Sequence, residues 1–210
     1  MINELRCEHR HTRQEHPMCF IKGTGHPDWF KNARIGFLDI ETTGLDASFG
    51  TMLSWAIKPL GEKTIAMVTD RKHILSATED KYLVSKLIEE MLKYDIVCTY
   101  YGTKFDIPFA RTRAHANGLE FPAFGSMNHL DLYYVAKSKL KLGRNRLDNV
   151  ANLYGISGKT HLNPKIWRHG GQGNPKALKY IYDHNIADVV LLEGCYKKME
   201  SLFKGGKKSV

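Results

Sequence analysis

The sequence predicts an α/β fold: a mixed β-sheet with helices packed against it, preceded by a small Cys/His-rich N-terminal knuckle. Three observations predict it. Apolar strand signals succeed one another at 34–41, 50–58 and 63–69, and after residue 75 strands alternate with helices. A chain of 210 residues with 42% hydrophobic content builds one real core and at most a small appendage. Residues 1–30 are rich in His, Cys, Arg and Pro and lack periodic hydrophobicity, which sets them apart from a domain over 31–205 and a basic tail at 206–210.

Each element has its own signal. "PLGE" links the second and third strands as a hairpin, with Pro59 and Gly61 in the turn. Ser76 and Glu79 are spaced as a capping box for a helix that runs to about Tyr94, on a stripe of Leu83, Val84, Leu87, Ile88, Met91 and Leu92. "DIVCTYY" (95–101) is an apolar strand, followed by a turn at Gly102 and a helix from about Ile107. "NHLDLY" is a short strand or a helix lead-in, and "LDNVANLYG" a short helix closed by Gly155. Residues 157–174 read as a loop, and a long helix runs from Pro175 to about Leu202.

No apolar run reaches the roughly 18–20 residues of a membrane helix, and the polar, basic N-terminus lacks an apolar signal core, so no membrane partner and a cytoplasmic location are expected. Lys and Arg outnumber acids by 31 to 22, a net charge of +9, which favours a polyanionic partner and nucleic acid above all. The charge is clustered. "KSKLKLGRNR" (137–146) carries Lys137, Lys139, Lys141, Arg144 and Arg146 with no acid among them.

"FLDIETTGL" (37–45) raises a sharper question. Side chains two apart on a strand share a face, so Asp39 and Glu41 project together from an otherwise greasy strand. Burying like charges side by side is costly. Asp106 sits between Phe105 and Ile107, and Asp188 lies in a helix beside Val189, Val190, Leu191 and Leu192. Taken singly, each is a cap or a satisfied acid. Together, the four share one explanation if they converge on hard divalent cations, which prefer carboxylate oxygen and offset the repulsion.

"DIETTGL", "FDIPF" and "HNIADVVLL" resemble the three motifs of the DEDD (DnaQ-like) 3′–5′ exonuclease superfamily, which has an RNase H-like fold. The resemblance covers roughly 34–200 and is nearest to the branch related to the exonuclease domain of family B DNA polymerases. It implies a two-metal hydrolysis of phosphodiester bonds at the 3′ ends of single-stranded DNA or RNA, with two Mg²⁺ or Mn²⁺ and release of nucleoside 5′-monophosphates. Asp39 would bridge both ions, with Glu41 and Asp188 on the ion that activates water and Asp106 on the other through water. A catalytically silent nucleic-acid-binding module, or a nuclease subunit of a larger complex, is the alternative.

Relatives carry either Tyr-x3-Asp or His-x4-Asp in the third motif. This chain has His184-x3-Asp188, a histidine at the tyrosine spacing, and Asp183 where the other subgroup has histidine. One helical turn separates His184 from Asp188, and an imidazole suits a general base at neutral pH. Surface polarity is the competing reading, and Tyr180, a turn earlier, the substitute. Thr42, Leu45, Tyr101, Phe105 and Arg111 are the candidates for substrate contact, Arg111 toward phosphate from the helix after the second motif, and by resemblance Asp131 is an accessory acid. Tyr101 stands where relatives often have Asn, and either stacks on a base or fills a strand end. Leu45 either wedges beside the terminal base or packs in the core. Arg113, Lys159, Lys165 and Arg168 are further phosphate candidates.

A second metal is expected at the N-terminus. "CEHRHTRQEHPMC" holds Cys7, His9, His11, His16 and Cys19. Cys7, His16 and Cys19 head a zinc ligand set completed by His11 or His9, with a disordered basic arm as the alternative. Cys98 and Cys195 read as inert core thiols.

Overall fold

The computed structural model describes residues 33–123, 125–158 and 163–203. The zinc set, Lys159 and the basic tail lie outside the described residues. Five strands form one sheet: β1 (Ile35–Thr42), β2 (Met52–Pro59), β3 (Ile65–Val68), β4 (Ile96–Thr99) and β5 (Asn128–Asp131), in the order β3-β2-β1-β4-β5. The β1–β2 and β2–β3 pairs are antiparallel, and the β1–β4 and β4–β5 pairs parallel. The helices are α1 (Arg71–Ile74), α2 (Lys81–Met91), α3 (Asp106–Ala116), α4 (Leu132–Lys139), α5 (Leu147–Leu153), α6 (Pro164–Gly171) and α7 (Pro175–Phe203).

Alternation along β1 builds both layers. Ile35 and Phe37 join the core under α5 and α7, where the Phe37 ring meets Tyr196 edge-on with centroids 5.1 Å apart. Leu38 and Ile40 face the other way, onto Leu83 and Leu87 of α2 and Ala110 of α3. A fully buried side chain of this size contributes about 1.5–3 kcal/mol, so the strand is clamped from both sides. A third, smaller cluster of Leu53, Leu178 and Ile181 takes Ile166 and Trp167 of α6.

Three expectations need correction. Ser76 and Glu79 form no capping box: the Ser76 hydroxyl donates to His73 O, and Glu79, at φ 39°, pairs with Arg113. Asp80 precedes α2, but its buried carboxylate accepts from Met52 N–H and from Arg113, tying α2 to β2 and α3 instead of capping. Leu92 falls off the buried stripe as the C-cap of α2 and is exposed, since the helix ends at Met91. The expected loop at 157–174 contains α6, which starts where the Asn163 side chain accepts from Lys165 N–H and Pro164 supplies a helical φ. "NHLDLY" proves to be both alternatives at once, β5 running straight into α4. The long final helix also begins at an Asn-Pro pair, with Asn174 accepting from Lys176 and Ala177 N–H.

Candidate functional site

The site grows out of the α7-facing side of β1. Ile35 and Phe37 are core there, and Asp39 and Glu41, next on that face, are half-buried at its open end. The cover stops because β4 pairs with β1 only as far as Phe37↔Cys98 and then turns away. Gly102 makes that turn: a Cβ at this position would overlap the Thr99 side chain. The acids therefore sit at the carboxyl ends of parallel strands, the usual place for ligands in such sheets.

α7 supplies the opposing wall. One helical face runs Ile181, His184, Asn185, Asp188, Leu192, Cys195, Met199, so three polar residues interrupt an apolar stripe where it crosses the acids. Asn185 donates through Nδ2 to Asp39 Oδ2 at 2.6 Å and accepts from the Ser54 hydroxyl at 2.8 Å. Ser54 stands opposite Glu41 in the β1–β2 register, which aims it at the same wall. His184 is buried, with Nε2 3.5 Å from Glu41 Oε1 and 3.7 Å from Asp188 Oδ2. The reading of His184 as surface polarity is thereby overturned. Asp183 points away and pairs with Lys179 at the surface.

Asp106 opens α3 and is 4% exposed, with Oδ1 accepting the Ile40 N–H at 3.1 Å. That bond ties the second motif to the middle of the first. Burial drives the Asp39 carboxyl well above its usual range, and the charges of Asp106, Glu41 and Asp188 push it further; Asn185 opposes them. Burial, with a contribution from Asp131, raises Asp106 to about 7 against the N–H bonds it accepts. Three carboxylates acting on a fourth means that three stretches of chain, β1, the start of α3 and α7, have come together at one place.

Four carboxylates suit hard divalent cations by donor chemistry. Among the described residues, however, no group of three such side chains is arranged to hold an ion as it stands. The hydrogen bonds supply a reason. Asn185 engages Asp39, the Ile40 amide engages Asp106, and Trp167 Nε1 donates to Glu41 Oε2 at 2.9 Å.

Trp167, Asn185 and Ser54 escaped the sequence reading. Asn185 lies three residues before Asp188 and was accessible to helical face arithmetic. Trp167 lay in a stretch read as loop. Its ring stands edge-on to His184 at 5.1 Å, and Tyr180 lies nearly parallel to the imidazole at 6.5 Å, as a packing partner.

The other expected residues divide. Asp131 accepts from Tyr101 and Thr103 N–H and from Tyr133 N–H, so it holds the turn after β4. That turn puts Tyr101 at φ 68°, a left-handed backbone costly for an aromatic residue, with its side chain exposed beside the acids. Leu45 is 87% exposed, which removes the core-packing reading, and Phe49 in the same loop is 91% exposed. Thr42 is buried and donates to Gly44 O, shaping that loop. Phe105 packs on Phe109 behind Asp106. Arg111 lies over the Phe121 ring, lining a separate apolar hollow with Pro108 and Met127. Arg113 is buried, and its guanidinium is engaged by the carboxylates of Glu79 and Asp80. Lys165 and Arg168 are exposed on α6, and Cys98 and Cys195 are buried.

A mixed five-stranded sheet with acids at the end of its central strand and a long helix across them defines an RNase H-like domain. Residues 36–200 match the RNase_H superfamily, and the chain belongs to it. It is 28% identical over 121 residues to a DNA polymerase of Methanocaldococcus jannaschii, a match covering 48% of this chain and 7% of the polymerase. The structure resembles the family B DNA polymerase of the archaeon Pyrobaculum calidifontis with a TM-score of 0.66 at 16% identity, over 80% of this chain and 24% of that one. The chain thus spans a small part of either polymerase. These likenesses bear out the resemblance read from the motifs, a domain related to the exonuclease domain of family B polymerases. Among the described residues no helix is long and apolar enough to cross a membrane.

Proposed function

We propose that this chain is a divalent-metal-dependent 3′–5′ exonuclease that shortens single-stranded nucleic acid one nucleotide at a time. Membership of the RNase_H superfamily and likeness to DNA polymerases support a nuclease-type function on nucleic acid. One observation carries the finer reading: Asp39 feels Asp106, Glu41 and Asp188 together, and His184 stands within 4 Å of two of those acids.

Asp39, Glu41, Asp106 and Asp188 are the residues that would hold two Mg²⁺ or Mn²⁺. Bound there, the ions supply a nucleophilic water at neutral pH and neutralise charge on the phosphoryl oxygens. His184, fixed between Glu41 and Asp188, orients the attacking water and accepts its proton at Nε2. Trp167 fixes Glu41, and Asn185 with Ser54 fixes Asp39. Leu45 and Tyr101 hold the terminal nucleotide, a reading supported by their exposure beside the acids, and Thr42 and Phe105 shape their surroundings. The water oxygen bonds to phosphorus, the bond to the upstream 3′ oxygen breaks, that oxygen takes a proton from solvent to become the new 3′-hydroxyl, and a 5′-monophosphate leaves.

The test is digestion of 5′-labelled single-stranded DNA and RNA with Mg²⁺, Mn²⁺ or EDTA, alongside Asp39→Ala and His184→Ala. A ladder shortening from the 3′ end, abolished by EDTA and by Asp39→Ala, is the expected result. Loss of about 10²–10⁴-fold in rate is expected for His184→Ala, the usual contribution of a general base. Strands bound but left uncut with either metal would mean a binding module instead.

A further inference from the structure

We infer that the tyrosine-lined cleft beside the acids continues into a built track for the upstream single strand, formed by α4 and the basic segment between α4 and α5. The inference rests on the exonuclease reading for its polarity and adds the path of the substrate.

The cleft has a volume of about 350 Å³, and its lining joins the site to this segment: Asp39 and Asp188 line it together with Tyr101, Tyr133 and Arg146. Aromatic rings carry it onward. Tyr101 meets Tyr133 edge-on at 4.7 Å, Tyr133 meets Tyr134 at 5.2 Å, and Lys137 Nζ lies 5.9 Å over the Tyr133 ring. Tyr101 and Tyr134 keep much of their surface exposed, which leaves faces for bases.

Beyond the rings come the cations. Lys137, Lys139, Lys141, Arg144 and Arg146 are all exposed, and the sequence from Leu132 to Arg146 contains no acid. Among the described residues none of the five forms an ion pair, whereas Lys58, Lys86, Lys93, Arg113, Lys179 and Lys197 all do. The segment is also anchored: Tyr100, at the end of β4, donates its hydroxyl to Asn145 O at 2.8 Å and so holds Arg146 at the mouth of the cleft.

The alternative exit, over the 43–50 loop, presents Leu45 and Phe49 but contains Asp46 and no Lys or Arg. A phosphate chain leaving the acids follows the cations. The strand therefore crosses Tyr101 and Tyr133 and runs along 137–146. Stacking faces beside a file of cations recognise a single strand, because a duplex hides its base faces.

The experiment is fluorescence anisotropy of a 5′-labelled oligothymidylate and of a blunt duplex, with EDTA so that both stay whole, across a KCl series. Lys137→Ala/Lys139→Ala/Lys141→Ala/Arg144→Ala is compared with the unaltered protein. Neutralising phosphates on a single strand gives a slope of log K against log salt of about −0.7 per contact, so the fourfold variant should be shallower by roughly 3. Tyr101→Ala/Tyr134→Ala should instead weaken single-strand binding while leaving the slope in place. The two half-variants, Lys137→Ala/Lys139→Ala and Lys141→Ala/Arg144→Ala, should each lose about half the slope change, and they decide the matter if the fourfold protein does not fold. An unchanged slope in the charge variants, or a duplex bound as tightly as the single strand, overturns the track. Digestion separates the two proposals. Cutting by a protein whose charge variants keep the full slope sinks only the track, and a slope change in a protein that never cuts sinks only the exonuclease.

Discussion

Replacing Asp106 by asparagine tests the electrostatics of the site without relying on turnover. Asparagine keeps the oxygen that accepts the Ile40 N–H and removes the buried charge. The Asp106 carboxyl lies at about 7 in the folded protein against 3.8 as a free group. A carboxyl raised by folding binds its proton more tightly in the native state. Its contribution therefore favours the fold below about pH 4 and is lost as pH rises towards 7. Integrating between those two values, Asp106 costs the metal-free protein under about 2 kcal/mol at pH 5 and about 4 kcal/mol at pH 8. Asp39, raised by burial and by its three acidic neighbours, acts in the same direction. Asp106→Asn should accordingly stabilise the metal-free protein, and by about 2–3 kcal/mol more at pH 8 than at pH 5. The assay is urea unfolding followed by circular dichroism in EDTA at both pH values. Groups that Asp106 does not act on cancel in the difference between the two proteins, while Asp39, which the Asp106 charge raises, is relieved in the variant and adds to the difference in the same direction. Mg²⁺ added at pH 8 should stabilise the unaltered protein and do little for the variant. If Asp106→Asn is no more stable than its parent at pH 8, or gains equally at pH 5, the acids do not stand in the strained, cation-seeking state described here.

Other perturbations separate positioning from folding. Trp167→Phe keeps the ring against His184 but deletes the bond to Glu41; a hydrogen bond to a charged group contributes about 1.5–3 kcal/mol to stability, so the fold should lose no more than that in urea unfolding, while kcat should fall roughly tenfold or more because Glu41 is no longer held in place. Tyr101→Asn should relieve the left-handed backbone and stabilise the fold by about 1 kcal/mol in chemical unfolding, while weakening binding of single strands measured by anisotropy. Arg113→Ala strands the carboxylate of Asp80, which is 2% exposed, and should cost about 3–5 kcal/mol in urea unfolding, far more than loss of a surface ion pair.

The α/β character, four of the five strands and the long last helix are legible because each rests on local periodicity, and the acids because they stand in hydrophobic company; β5, four residues long and running straight into α4, is too short for its period to separate strand from helix lead-in. Two Asn-Pro pairs announced α6 and α7; the pair at Asn163 was masked by surrounding polar and glycine residues, although Ile166 and Trp167 already marked an apolar face. The capping box misled for the opposite reason. Ser76-x-x-Glu79 has the right spacing, but Arg113, distant in sequence, draws Glu79 into another pair.

By itself the sequence determined which residues are chemically out of place: Asp39, Glu41, Asp106, Asp188 and, at helical spacing from the last, His184. Tertiary structure alone decided what holds them. That Asn185 bonds Asp39 and that Trp167 bonds Glu41 depend on contacts between residues 146 and 126 positions apart, and that Arg111 lies over Phe121 in another hollow depends on how a helix is rotated. Periodicity specifies which face of an element is apolar. It carries no information about the element that will cover it, and the covering element is what orients every oxygen in this site.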